Sequence, residues 1–173
     1  VLRSSDGEIT QMVKNKDVAL HAGNWWMNMH AIGLEHEGYA IEGATWFTES
    51  LYRSSAKLTR WLAHKYDIPL DRAHIVGSDE YVAPTAGLMA GMHWDPGPYW
   101  DWDYYMELVG APIPSTFIAS LPNQVQGAVI INPKFADNQN AVKTCDGQDT
   151  LREQQPTNFV HLYTAPSFEA PLI

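Results

Sequence analysis

The chain has 173 residues, 45% of them hydrophobic and 18% charged, a balance that reads as globular rather than disordered. Eleven Lys and Arg against twenty Asp and Glu give a net charge of -9 with no block of cations, so nucleic acid is not an expected partner. No apolar run approaches the roughly 20 residues a membrane helix needs, and the single Cys145 excludes an internal disulfide or a multi-cysteine zinc site.

From Val1 to about Ala22 the pattern is strand, turn, strand, with Ser5-Asp6-Gly7-Glu8 as the turn. Val1 reads as the middle of a strand, and Ala165 to Ile173 closes no element, so the chain is expected to be an internal piece of something longer. Ala31 to Glu37 is a further strand, closed by Gly38. The clearest helix follows. Phe47, Leu51, Leu58 and Leu62 repeat at helical spacing, Thr48 is its N-cap, and Asp67-Ile68-Pro69 ends it. His74 to Gly77 reads as a short buried strand, and a Gly- and Pro-rich loop spans Ala83 to Pro98. A second helix is predicted over Trp102 to Val109, with Asp101 as N-cap and Gly110 as its stop.

This order predicts an α/β fold, a mixed central β-sheet flanked by helices, over residues 1–110. The Thr48–Tyr66 helix should pack on that sheet through Leu51, Leu58 and Leu62. Residues 111–126 carry three prolines and read as a linker. Residues 127–173 read as a partial all-β module, with short segments at Ala128–Ile131 and Phe159–Tyr163.

Most of the seven His have a plain structural reading. His64 lies on a polar helix face, and His74 and His161 lie in apolar strands. Three stretches ask for more. In Ile32-Gly33-Leu34-Glu35-His36-Glu37-Gly38, alternation puts Glu35 and Glu37 on one side with Gly33. In Met92-His93-Trp94-Asp95-Pro96-Gly97-Pro98 an imidazole and a carboxylate share a constrained loop. His21-Ala22-Gly23-Asn24-Trp25-Trp26 pairs a His with aromatics suited to stacking on sugar faces.

Together with Arg3-Ser4-Ser5-Asp6-Gly7-Glu8-Ile9-Thr10-Gln11 and Trp100-Asp101-Trp102, these stretches resemble, in order, the type-2 N-acetylmuramoyl-L-alanine amidases, which share a fold with peptidoglycan recognition proteins. The resemblance covers Val1 to about Val109; the tail from Asn132-Pro133 is similar to the start of a bacterial SH3-like module. It implies a Zn²⁺-dependent hydrolase that cuts the amide between the lactyl group of muramic acid and L-alanine. It implies Glu35 as general base and acid, His93 as the group that stabilises the oxyanion, and Asp95 as a zinc ligand. His21, Trp25 and Trp26 would line a groove for glycan and stem peptide. Peptidoglycan is then the implied partner, with neither nucleic acid nor membrane, and the implied location is secreted or wall-associated.

Two positions depart from the pattern. The first zinc His is expected immediately before Val1, and the second falls where this chain has Gly77-Ser78. A serine is neutral and an uncommon zinc ligand, and His74 would sit about 13 Å away along a strand. Glu35, Ser78, His93 and Asp95 are nevertheless expected to converge on one cleft, with His21 and Trp25 or Trp26 on its rim. Two function classes follow, a zinc amidase or a zinc-less module that binds peptidoglycan without cutting it. A structural α/β domain with no wall ligand is a third.

Overall fold

The structure is a computed structural model that describes residues 1–80, 85, 93–114, 132–143, 150–167 and 169–171. The chain divides into two units, Val1–Ile113 and Pro114–Ile173. Within the first, Leu2 is a hub. It pairs antiparallel with Ile9 across the Ser4–Asp6 turn and parallel with His36, donating to Glu35 O at 2.8 Å and accepting from Glu37 N at 2.9 Å. These are isolated bridges rather than a ladder.

Helix α1 (Trp25–His30) starts at Asn24, whose side chain accepts from the N–H groups of Trp26 and Met27. An extended segment over residues 31–36 leads through a turn of 3₁₀ helix (Ala40–Glu42) into α2 (Gly43–Trp46). Helix α3 (Glu49–Tyr66) begins with the Thr48 cap on Leu51 N and ends at Asp67 in the left-handed region. Helix α4 (Trp102–Val109) begins with Asp101 capping Tyr104 N and stops at Gly110, φ 90°. Both longer helices thus stand where the capping residues predict them.

The packing differs from expectation. The buried face of α3 is Leu51, Tyr52, Ser55, Ala56, Thr59 and Ala63, with Leu58 and Leu62 only half-buried, and it packs on α4 rather than on a sheet. Trp100 lies at the centre, with ring centroids of Tyr52 at 4.2 Å, Phe47 at 5.0 Å, and His36 and Tyr105 at 5.1 Å. Ser55 and Thr59 tolerate burial because the Tyr105 hydroxyl bonds both, at 2.9 and 2.7 Å.

The expected strand at His74–Gly77 is a turn, and it does not join the 31–37 segment in a central sheet. Asp71 Oδ1 accepts from Ala73 N at 2.9 Å and His74 N at 3.0 Å, and lies 2.7 Å from His74 Nδ1. That side-chain cap satisfies the backbone locally and competes with a ladder. His74 is therefore exposed, not a core histidine.

In the second unit β1 (Gln139–Asn140) pairs antiparallel with β2 (Gln155–Pro156) around the buried Thr157, which accepts from the side-chain amide of Asn140 at 2.7 Å. No regular strand forms over Phe159–Tyr163, and His161 is exposed against Phe159. Ala128–Ile131, Cys145 and most of the 111–126 linker lie outside the described residues. The unit thus holds a small two-strand sheet, and the first unit holds helices with bridged segments. No described helix is long and apolar enough to cross a membrane.

Candidate functional site

The segment 31–37 divides its side chains between two environments. Leu34 and His36 point inward, Leu34 onto the core and His36 onto Trp100, with His36 Nε2 2.7 Å from Ser55 Oγ. Burial pushes the His36 pKa down to about 4. Glu35 and Glu37 are exposed. Glu37 accepts from Ser4 N at 2.7 Å, which ties it to the first turn, and borders a cleft of about 200 Å³ lined also by Val1, Arg3, Glu8 and Thr10. That cleft contains neither His93 nor Asp95.

His21 lies on the Gly33 backbone. A Cβ at Gly33 would come within 2.7 Å of the His21 ring, so only glycine allows this approach. The backbone N–H groups of His21 and Ala22 both donate to Asn28 Oδ1, at 2.9 and 2.8 Å, so α1 holds the loop in place. Trp25 and Trp26 are each 61% exposed, and Trp26 stacks on His30 with centroids 4.2 Å apart.

The second group is built from two loops. Asp79 N donates to Asp95 O at 3.1 Å, and the Asp79 carboxylate accepts from Gly97 N. A Cβ at Gly77 would strike Asp79 Oδ1 at 2.3 Å and Pro96 Cδ at 2.7 Å, which explains the glycine there. Partial burial, then the negative charge of Glu80 and Asp95, push the Asp79 carboxyl up to about 6 even though the residue remains open to solvent. The Arg72 guanidinium stacks 3.5 Å from the Trp102 ring and pairs with Glu80, fastening the 71–80 segment to α4. His93 Nδ1 stands 3.5 Å from Asp95 Oδ1, with both side chains largely accessible.

The structure sets His21 against Gly33, ties the Ser78–Glu80 turn to Asp95 through the Asp79 N–H, and places His93 beside Asp95. Among the described residues no hydrogen bond or ion pair joins Glu35 to Asp95. A catalytic zinc needs three protein donors and an open position. Among the described residues no group of three His, Cys, Asp or Glu converges, so His93, Asp95 and the neutral Ser78 do not make up such a set. Sequence reasoning missed Asn28, Asp79 and Arg72 as supports. The Asn24-x-x-x-Asn28 spacing at a helix start and the Asp71 turn were the available signals.

Residues 1–98 match the N-acetylmuramoyl-L-alanine amidase family. The chain is similar to N-acetylmuramoyl-L-alanine amidase A of Achromobacter lyticus, 32% identical over 120 residues, which are 63% of this chain and 66% of that protein. It thus spans slightly less than two thirds of that relative's length. No solved structure matches the chain.

Proposed function

The chain belongs to the N-acetylmuramoyl-L-alanine amidase family, and from that premise we propose that it acts on peptidoglycan at the amide between the muramic acid lactyl group and L-alanine. The observation that carries this reading is the extent of the match, which runs past Glu35 and through Asp95-Pro96-Gly97-Pro98. In this reading Glu35, an exposed carboxylate, takes a proton from the attacking water and returns it to the leaving amine. His93 donates to the carbonyl oxygen as charge develops there, with Asp95 beside it to hold the imidazole. Trp25, Trp26 and His21 offer aromatic faces to the sugar and stem peptide. The second unit, as a partial SH3-like module, and a location at the wall belong to the same proposal.

Zinc is the group the resemblance implies, but the donor set described above does not fit it. We therefore expect this chain to hold zinc weakly or not at all. The same observation favours a second reading. With Ser78 where a histidine ligand is expected, the chain binds peptidoglycan and cuts it poorly.

Digestion of purified peptidoglycan, read by mass spectrometry for stem peptides with a free L-alanine amine, tests the first reading. Glu35→Gln should lower such release about 100-fold or more while pelleting with peptidoglycan is unchanged. Equal release by Glu35→Gln and the unmodified chain removes Glu35 from its role. Pelleting without release supports the second reading.

A further inference from the structure

The outer face of α3 is unlike the rest of the chain. From Ser50 to Tyr66 the helix carries no Asp or Glu, but it carries Arg53, Lys57, Arg60, His64 and Lys65 in a chain of net charge -9. Arg53 is matched by Glu49 at 2.5 Å. Lys57, Arg60 and Lys65 have no ion-pair partner among the described residues. The spacings 57, 60, 61, 64 and 65 put these groups on one stripe, opposite the face that packs on α4. A helix C-terminus attracts cations, which accounts for His64 and Lys65 in the last turn. Lys57 and Arg60 lie outside that turn, so the helix dipole does not account for them.

The stripe also holds one exposed aromatic, Trp61, and Tyr66 closes the helix next to it. Trp61 is 54% exposed and Tyr66 44%, and the Lys65 ammonium sits 4.5 Å above the Trp61 ring and 5.4 Å from that of Tyr66. Asn15 Nδ2 donates to the Tyr66 hydroxyl at 3.0 Å, adding an amide beside the rings. A flat indole on one stripe with Lys57 and Arg60 suits one ligand chemistry: sugar rings that stack, carrying carboxylates that pair. At physiological ionic strength charges are screened beyond about 8 Å, so this local stripe outweighs the distant net negative charge for a polymer that touches it.

We propose that the outer face of α3 is a second docking surface for peptidoglycan, separate from the Glu35 and Asp95 groups, that holds the protein on the insoluble polymer through Lys57, Arg60 and Trp61. The proposal rests on the peptidoglycan reading above for its partner and on charge complementarity for its place. Stem-peptide carboxylates meet the cations, and a sugar face meets Trp61.

The test is co-sedimentation of the full chain with acid-stripped peptidoglycan, free of phosphate polymers, alongside binding to a soluble muramyl peptide. Lys57→Glu with Arg60→Glu should weaken retention on the insoluble polymer about tenfold or more, and Trp61→Ala should weaken it severalfold. Both should leave soluble muramyl-peptide binding and the thermal midpoint unchanged. Retention of the unmodified chain should fall with added salt and with amidation of the polymer's carboxylates. Equal retention of variants and unmodified chain overturns the proposal. So does retention only on walls that keep their phosphate polymers, or partition to anionic lipid vesicles in place of peptidoglycan. Loss of soluble muramyl-peptide binding by the unmodified chain, with stripe-dependent retention intact, counts against the Glu35–Asp95 reading and leaves this surface standing.

Discussion

Between α3 and α4, aromatic rings close on Trp100 and the hydroxyls of Ser55, Thr59 and Tyr105 bond one another out of water. The loops 71–80 and 93–98 are held differently, by side chains that reach to nearby backbone: Asp71 to His74 N, Glu80 to Gly77 N, and Asp79 to Gly97 N. The first region is stabilised by burial and the second by directional bonds at the surface. Burial should set the global stability, while the directional bonds should set where Ser78 and Asp95 stand without contributing much to it.

The largest expected effect lies in the core. Trp100 is 2% exposed, so Trp100→Ala should cost about 3–5 kcal/mol, measured by urea unfolding. A loss below about 1 kcal/mol would mean that the rings around it repack freely, and the contrast between the regions would dissolve. Next comes His36, whose ring is neutral when folded and titrates near 4 against 6.5 when free. Below pH 6.5 the unfolded chain takes the proton first, so stability should fall as pH drops from 6.5 to 4. The loss should reach up to about 3 kcal/mol and be absent above pH 6.5. His36→Gln should flatten that limb of the stability–pH curve, and an unchanged slope would assign it to carboxylates instead.

The smallest effect on stability belongs to the loops. Asp79→Ala should lower global stability by no more than about 1 kcal/mol. It should still speed hydrogen exchange at the Gly97 amide about tenfold or more, because that N–H loses its acceptor. Asp79→Asn keeps an acceptor and should retain most of the protection. Uniform acceleration across α3 and α4 would show that the loop and the core unfold together.

The same division decides how much was legible in the sequence. Helices α3 and α4 could be read because Thr48, Asp67, Asp101 and Gly110 signal their ends locally. Their packing could not be read. Ser55 and Thr59 look like surface residues until Tyr105, some fifty residues on, supplies their partner. The central sheet was expected from apolar runs, but Asp71 capped one run into a turn and Leu2 gave the other a single bridge. Helix α1 has six residues, too short for a period to show, although Asn24 marks its start. At the candidate site the residue types and their order carried the resemblance, whereas Asn28, Asp79 and Arg72 act through contacts that no local pattern announces.

The most direct test of the proposal that this amidase-family chain holds zinc weakly or not at all is zinc content and L-alanine amine release measured side by side. The comparison is between the unmodified chain and Ser78→His with the segment expected before Val1 restored. The account predicts substoichiometric zinc and slow release for the unmodified chain, with both rising, release by about tenfold or more, when two imidazoles join Asp95. Stoichiometric zinc and rapid release by the unmodified chain, with no gain from Ser78→His, would contradict it.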